Sequence, residues 1–473
     1  PISDASGVNS EAVGPGRGTM IGVTLPETRA QVLELDRVDP LAGNREDFVI
    51  PNGIVYLDGN SLGPPPHRTL ERVRQLMTDE WGGELIRSWT SRGWIDMAEQ
   101  IAATIAPLIG AQPAEVAVAD SVSINLFKLL AAGVRMRPER HVILTEEENF
   151  PTDQYIAQGL ADLMPERISL RVVPRTELTA ALDEDVAILM LTHVDFRSGA
   201  MHDLVRWSEE AHRVGCLVIW DLSHSAGAVP VNLAEANADM AVGCGYKYLN
   251  GGPGAPAFAY VARAHHTHLR SPLWGWMGHA DPFEFGTEYR PAPGVASLSV
   301  GTPPILSLAA LQCGVETVAE IGIQPLRAKA IELSEMFIAG VERECHGHGL
   351  ELASPRNSEG RGNQVSFRHP EGYAIMQALI ARGVIGDFRA PDLLRFGFAP
   401  AYLRYADVWD AVHVLAGIET GDLSVRAACG DDRDLHREID EPFEHGRCAG
   451  HGLERGLRLR GVGDAHLPLA VIA

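Results

Sequence analysis

Short apolar runs alternate with helical stretches between residues 116 and 221, and this alternation is the feature that most limits the fold of the chain. The runs begin near residues 116, 141, 186 and 217, and each has the length of a buried strand. Strands separated by helices are typical of a mostly parallel sheet covered on both faces. We therefore predict an α/β fold, in which ligands bind beyond the carboxyl ends of the strands.

One stretch after the last of these runs carries unusual chemistry. It reads D-L-S-H-S-A-G-A-V-P at 221–230 and Y-K-Y-L-N-G-G-P-G at 246–254. An acid, Asp221, stands where a strand stops, and Lys247 lies between two tyrosines beside several glycines. Pyridoxal phosphate chemistry needs a lysine for a Schiff base and a carboxylate that keeps the pyridine nitrogen protonated. On spacing alone, a surface-turn lysine and a helix-capping aspartate explain the stretch about equally well.

The full wording of this stretch, together with Y-L-D-G-N-S-L-G-P at 56–64, closely resembles the kynureninase family. These are pyridoxal-phosphate enzymes of the aspartate-aminotransferase fold type. The resemblance runs from about residue 56 to residue 419. It implies a large cofactor-binding domain followed by a smaller C-terminal α+β domain. It also implies hydrolysis of L-kynurenine, or of 3-hydroxykynurenine, to anthranilate or 3-hydroxyanthranilate and L-alanine.

The resemblance implies a pyridoxal 5'-phosphate site residue by residue. Lys247 would hold the cofactor, Asp221 would keep its ring nitrogen protonated, and Tyr246 would contact the phosphate and transfer protons. Further cofactor contacts matched by wording are Val122, Ser123, Phe150, Pro151, Thr152, Asp153, Thr192, His224, Trp276 and Thr302. Helix capping, a proline turn, a satisfied core histidine and loop packing are the alternative explanations of these residues.

The resemblance also implies a set of substrate-binding residues and a homodimer. Arg395, inside the apolar run at 393–398, would hold the α-carboxylate of the substrate with a planar two-point donor. Trp89 would line the aromatic ring, and Asn60 lies in the 56–64 motif. An edge-strand arginine in solvent and simple tryptophan packing are the alternatives. Trp276 and Thr302 match contacts that cross the interface of a homodimer.

Composition and charge set broader limits. A chain of 473 residues is too long for one hydrophobic core. We expect five segments: a disordered leader at 1–24, an N-terminal segment at 25–65, a large cofactor-binding domain at 66–303, a small domain at 304–419 and a disordered tail at 420–473. Met20 is a candidate for the start of translation.

The net charge of −22 argues against nucleic-acid binding, and no apolar run reaches the ~18 residues of a membrane span. Six cysteines show neither disulfide nor metal spacing, and those at 216 and 244 should be buried free thiols. We therefore expect a cytoplasmic enzyme that uses no metal.

Two other functions stay open at this point. A cysteine desulfurase or aminotransferase would share the fold, but a desulfurase typically has a histidine directly before the lysine, where Tyr246 stands here. A non-catalytic scaffold would predict loss of Asp221, Lys247 or Arg395, and all three are present. The motifs do not separate kynurenine from 3-hydroxykynurenine. Nor do they separate tryptophan catabolism and NAD biosynthesis from an antibiotic pathway.

Overall fold

A computed structural model describes residues 26–419, so the predicted leader and tail lie outside the described residues. The strands, in chain order, are Val55–Tyr56 (β1), Val116–Val118 (β2), Val142–Glu146 (β3), Ser169–Val173 (β4), Val186–Thr192 (β5), Leu217–Asp221 (β6), Met240–Gly243 (β7), Phe258–Val261 (β8), Glu351–Leu352 (β9), Gln364–Arg368 (β10), Val384–Ile385 (β11), Asp387–Arg389 (β12) and Leu393–Gly397 (β13). The α-helices are Arg29–Val38 (α1), His67–Gln75 (α2), Gly82–Glu84 (α3), Ser88–Ser91 (α4), Met97–Leu108 (α5), Val122–Met136 (α6), Pro151–Leu163 (α7), Leu178–Ala181 (α8), Leu204–Arg213 (α9), Ile305–Ile321 (α10), Ile323–Glu344 (α11), Gly372–Ile380 (α12) and Tyr405–Glu419 (α13).

The large sheet has the strand order β2-β8-β7-β6-β5-β3-β4. Strands β3 to β7 pair in parallel with one another, whereas β8 is antiparallel to both of its neighbours. The strands between the two edges are buried along their whole length, as expected for a sheet covered on both faces. The predicted α/β fold with a mostly parallel sheet is therefore confirmed. Strand β4 was not predicted, because this edge strand is only partly buried and Arg171 interrupts its apolar pattern.

Six strands of this sheet end on the same side, because only β8 runs in the opposite direction. We call this side the carboxyl edge and the opposite side the amino edge; the last residues of the six strands are Val118, Glu146, Val173, Thr192, Asp221 and Gly243. Helix α6 begins at the carboxyl edge after β2, and the Ser121 side chain caps it by accepting from Ile124 N at 3.4 Å.

The C-terminal part contains an antiparallel sheet in the order β12-β13-β10-β9. Strand β1, from the N-terminal segment, pairs in parallel with β11 and so joins the two ends of the described chain. The predicted helical region from 306 to 344 consists of two helices, α10 and α11, and the chain bends by 82° between them. Gly322 lies between them with φ +86, a conformation that favours glycine.

Two further predictions can be compared with the structure. Cys216 and Cys244 are free and buried, as expected, and so is Cys313; Cys345 is buried as well. Among residues 26–419, no single helix is long and apolar enough to cross a membrane; α10 and α11 reach that length and composition only when taken together across their bend.

Candidate active site

A cavity of about 430 Å³ lies at the carboxyl edge of the large sheet. Strand ends and the loops that follow them supply its walls, as expected for an open α/β sheet. The predicted cofactor residues that line the cavity are Val122, Ser123, Phe150, Thr152, Asp153, Thr192, Asp221, His224, Tyr246 and Lys247. The fold therefore brings together residues that are scattered over more than a hundred positions of the chain.

The chain has three lysines, and all of them are buried. Lys128 and Lys329 each form an ion pair with an aspartate. Lys247 Nζ has no carboxylate within 4.0 Å among residues 26–419, and it instead lies 2.9 Å from His224 Nε2. Burial lowers the pKa of the Lys247 amine. An amine with a lowered pKa is more easily deprotonated, which suits it to attack a carbonyl and to move protons.

Two buried carboxyl groups, Asp153 and Asp221, lie next to each other in the same cavity. Asp221 Oδ1 accepts from Ser223 N at 2.7 Å and from Ser223 Oγ at 2.6 Å. Burial raises the pKa of both acids, and the charge of Asp221 raises that of Asp153 further. Asp153 Oδ2 is buried and has no hydrogen-bond partner among the described residues. Within residues 26–419, no lysine, arginine or histidine donates a hydrogen bond to either acid.

These observations fit pyridoxal phosphate. A protonated pyridine nitrogen is a cationic N–H donor of the kind that Asp153 and Asp221 lack. At another wall of the cavity, Val122 and Ser123 are the first residues of α6, where free N–H groups and the helix dipole favour a phosphate. The aromatic rings of Phe150 and Tyr246 lie 6.0 and 5.8 Å from Lys247 Nζ, measured to the ring centroids.

His224 is a buried neutral histidine rather than a second cation. Burial lowers its pKa well below the usual range, and the charge of Lys247 lowers it further. In the neutral ring, Nε2 can accept from Lys247 Nζ only if the proton is on Nδ1. His224 Nδ1 and Gln364 Oε1 are both buried, and neither atom has a hydrogen-bond partner among the described residues.

Arg395 is buried on an interior strand of the C-terminal sheet, with 1% of its surface exposed. The alternative of an edge-strand arginine in solvent is therefore wrong. Its Nε donates to Asp387 Oδ1 at 2.8 Å, and Nη2 donates to Asp387 Oδ2. Nη1 donates to Phe196 O at 2.6 Å, and Phe196 lines the cavity. Because Asp387 supplies an anion from within the chain, the burial of Arg395 does not by itself require a bound carboxylate.

The other predicted residues lie outside this cavity. Asn60 is fully buried against Arg395, and its amide oxygen, oriented toward the guanidinium, accepts from Nε at 3.0 Å. Trp89 is half-buried and packs edge-on against Trp94, with ring centroids 6.0 Å apart. Pro151 is the first residue of α7. Trp276 and Thr302 lie in neighbouring loops that are partly or fully exposed.

Several residues of the site were not predicted. Ser223 holds Asp221, Phe196 and Cys244 line the cavity, and Asp387 holds Arg395. The D-L-S spacing could have identified Ser223, since a serine two residues after an aspartate commonly bonds back to it. Asp387 gives no such signal, because it meets Arg395 only through pairing of β12 with β13.

Known proteins resemble this chain over most of its length. A family profile described as the kynureninase C-terminal domain matches residues 326–415. The kynureninase of Burkholderia pseudomallei (strain 1106a) is 49% identical over 397 residues, which cover 83% of this chain and 95% of that protein. The kynureninase of Pseudomonas fluorescens is 50% identical over 396 residues, with the same coverage of both chains.

Solved structures match the fold at lower identity. A cysteine desulfurase from Thermococcus onnurineus NA1 has a TM-score of 0.69 and 19% identity, over 80% of this chain and 98% of its own. The cysteine desulfurase CsdA of Escherichia coli has a TM-score of 0.67 and 18% identity, and the match covers 81% of this chain and 99% of that one. At this identity the likeness concerns the fold alone. The identity to the curated relatives over most of both chains goes further, and the chain belongs to the kynureninase family of pyridoxal-phosphate-dependent hydrolases.

Proposed function

We propose that this chain hydrolyses L-kynurenine, with one water, to anthranilate and L-alanine, and that it acts on 3-hydroxykynurenine in the same way. One observation carries the proposal. Lys247, which has no ion pair in the described chain, shares a cavity with the acids Asp153 and Asp221 and with the N-terminus of α6. The relatives at 49–50% identity are named kynureninases, which supports this choice among enzymes of the same fold.

Pyridoxal phosphate bound in this cavity supplies an electron sink for the charge that develops at the substrate α-carbon. Lys247 would hold the cofactor through Nζ and would also take the α-proton of the substrate. Asp221 would accept the N–H of the ring nitrogen, and Asp153 would share that charge. Val122 and Ser123 would hold the phosphate at the start of α6, with Tyr246 beside it.

Two further groups of residues act around the cofactor: those that surround its ring, and the histidine beside Lys247. Phe150 would pack on the cofactor ring, and Thr152 and Thr192 would border it. Pro151, which begins α7, would hold the backbone between Phe150 and Thr152. His224 Nε2 accepts from Lys247 Nζ, which orients the amine without adding a second charge.

The substrate is held from the C-terminal sheet. Arg395 binds the α-carboxylate, and Asn60 keeps the guanidinium in place. Trp89 faces the aromatic ring of the substrate. Trp89 and Thr302 together decide between kynurenine and its 3-hydroxy form.

The active form is a homodimer in which Trp276 and Thr302 complete the site of the partner subunit. Both lie in loops outside the cavity of their own chain. Exposed apolar side chains, which supply a surface for a second copy, are Leu70, Met77, Trp81, Leu85 and Ile86.

Mixing two inactive variants tests the shared site. Lys247→Ala and Trp276→Ala dimers, unfolded and refolded together, should regain about a quarter of wild-type activity, because each mixed dimer has one intact site. Sedimentation of a fully active monomer would contradict the proposal.

The five segments predicted from the sequence remain our proposal for the domain organisation, with the large domain at 66–303 and the small domain at 304–419. We also propose a cytoplasmic location and a role in tryptophan catabolism. In the part of the chain that the structure describes, the buried cysteines Cys216, Cys244 and Cys313 form no disulfide, which supports a reducing compartment.

Steady-state rates test the function. Purified protein loaded with pyridoxal phosphate should release fluorescent anthranilate and stoichiometric alanine from L-kynurenine, and 3-hydroxykynurenine run in parallel gives the preference. L-cysteine, with sulfide as the readout, is the matched control for the desulfurase alternative. Sulfide release without anthranilate would refute the proposed function.

A further inference from the structure

Arg395 and Asp387 face each other as a direct cross-strand pair of the C-terminal sheet. Residues opposite each other on neighbouring antiparallel strands place their side chains on the same face. Asp387 accepts from Arg395 Nε at 2.8 Å and also from Nη2. This two-point contact fixes the rotation of the guanidinium plane, because both hydrogen bonds lie in it.

Asp387 is the ionised acid of this cluster. Burial would raise its pKa, but the charge and hydrogen bond of Arg395 hold it below the usual range. The neighbouring Asp58 differs: burial and the charge of Asp387 raise its pKa to about 7. Arg389 lies on the other side and donates to Asp387 Oδ2 at 2.8 Å. The two hydrogen bonds and the lowered pKa together make Asp387 the acid of this cluster that Arg395 stabilises most.

The donors of Arg395 can be counted. A guanidinium has five N–H groups. Two of them go to Asp387, one goes to Ser61 Oγ at 2.8 Å, and one goes to Phe196 O at 2.6 Å. The amide oxygen of Asn60 shares the Nε and Nη2 groups, at 3.0 and 3.2 Å, and so takes up no further N–H group. A carboxylate held at two points needs two N–H groups. Binding it there must therefore exchange or share the contact to Ser61 or to Phe196, and Phe196 borders the cavity.

We propose that Asp387 is a positioning residue of the substrate site. It holds the Nε side of Arg395 fixed, while the Nη1 and Nη2 donors exchange Ser61 or Phe196 for the α-carboxylate of the substrate. The proposal rests on the proposed function, in which Arg395 binds that carboxylate. Asp387 itself does not touch the substrate and acts only through the guanidinium.

Asp387→Asn is the direct test, because asparagine keeps the size of the side chain and loses the charge and one acceptor. KM for L-kynurenine should rise roughly 10- to 100-fold, with kcat within a few-fold of wild type. The Kd of the decarboxylated analogue of kynurenine, which has no α-carboxylate, should change little. Asp387→Glu, which keeps the charge, should recover part of the lost affinity.

Asp392→Asn is the matched control. Asp392 lies in the turn between β12 and β13, and its ion pair is with the exposed Arg368. This variant should bind both ligands as the wild type does. In an Arg395→Ala background, Asp387→Asn should cause no further loss, because the two residues act as one unit.

Both ligand binding and turnover are measured on the cofactor-loaded protein. A thermal melt of each variant shows whether it is folded. If Asp387→Asn does not fold, Asp387→Glu and the double variant decide. Equal losses for both ligands, or a KM within twofold of that of Asp392→Asn, would overturn the proposal while the wild type still releases anthranilate. A wild type that binds both ligands without releasing anthranilate would refute the proposed function instead, and the ratio of the two Kd values would still test Asp387.

Discussion

The two edges of the large sheet use buried aspartates in opposite ways. At the amino edge, Asp239 accepts from His212 Nε2 at 2.8 Å, from His265 Nε2 at 2.7 Å and from Val218 N at 2.8 Å. Although burial opposes it, these hydrogen bonds hold the Asp239 pKa at about 2. At the carboxyl edge, burial and like charge raise the pKa of Asp153 and Asp221.

The difference shows where the chain has left room for a ligand. An acid that finds all its partners within the chain contributes to stability, whereas a buried acid pair that lacks a cationic donor costs stability until a ligand supplies one. The lysines differ in the same way. Lys128 and Lys329 each pair with an aspartate, whereas Lys247 has no carboxylate partner within residues 26–419. Substitutions at the carboxyl edge should therefore affect activity, and those at the amino edge stability.

The largest effect should come from Lys247→Ala, which removes the cofactor amine. Turnover should fall by at least about 10⁴-fold. In the wild type, borohydride should fix the cofactor to the protein, and peptide mapping has only three lysines to distinguish. Lys329→Ala is the control: it should keep the label but unfold at a lower temperature, because Asp39 loses its partner. A label that persists in Lys247→Ala would exclude this lysine.

Asp221→Asn should lower kcat by roughly 10³-fold while the protein still binds cofactor, because the ring nitrogen loses its ionised partner. The raised folded pKa of Asp221 means that its carboxylate costs stability above the unfolded pKa of about 3.9. The cofactor-free variant should therefore unfold at pH 7 no more easily than the wild type. Near-wild-type turnover, or a clearly lowered melting temperature, would contradict the expectation that substitutions at the carboxyl edge affect activity and not stability.

Arg395→Ala separates the substrate side from the cofactor side. We expect a loss of about 3 kcal/mol in kcat/KM, seen mainly as a higher KM. Arg395→Lys should recover only part of it, because an ammonium group lacks the planar fork. The visible spectrum of the bound cofactor should not change in either variant. Unchanged KM in both would mean that the carboxylate is held elsewhere.

Asp239→Asn should have the smallest effect, a loss of about 1–2 kcal/mol in the free energy of unfolding, with turnover unchanged. The depressed Asp239 pKa contributes stability above about pH 3.9, and this is lost as the pH falls toward 2. The raised His212 pKa contributes stability below about pH 6.5, and this is lost as the pH rises through its folded pKa. The loss should therefore be larger at pH 6 than at pH 8.5 in urea titrations. An equal loss at both pH values would show that the histidine charge does not contribute.

Local pattern was enough for the sheet and for the position of its ligand edge. The apolar runs became strands because each is long enough to be buried and is bounded by helices, and Asp221 and Lys247 follow strand ends at the carboxyl edge. The sequence motifs identified the family and half of the residues that line the cavity. The break at Gly322 was not predicted, because both helices around it continue the same helical pattern.

Pairing between distant groups was decided only by the tertiary structure. Lys329 has the same kind of side chain as Lys247, and only the packing of α11 against the N-terminal segment gives it Asp39 as a partner. Asp387 becomes the partner of Arg395 once β12 and β13 align in register. By itself, the sequence determined which residues could do the chemistry, because residue type and periodicity are local properties. Which charges are neutralised within the chain, and which are left for a ligand, depends on distances that exist only in the folded protein.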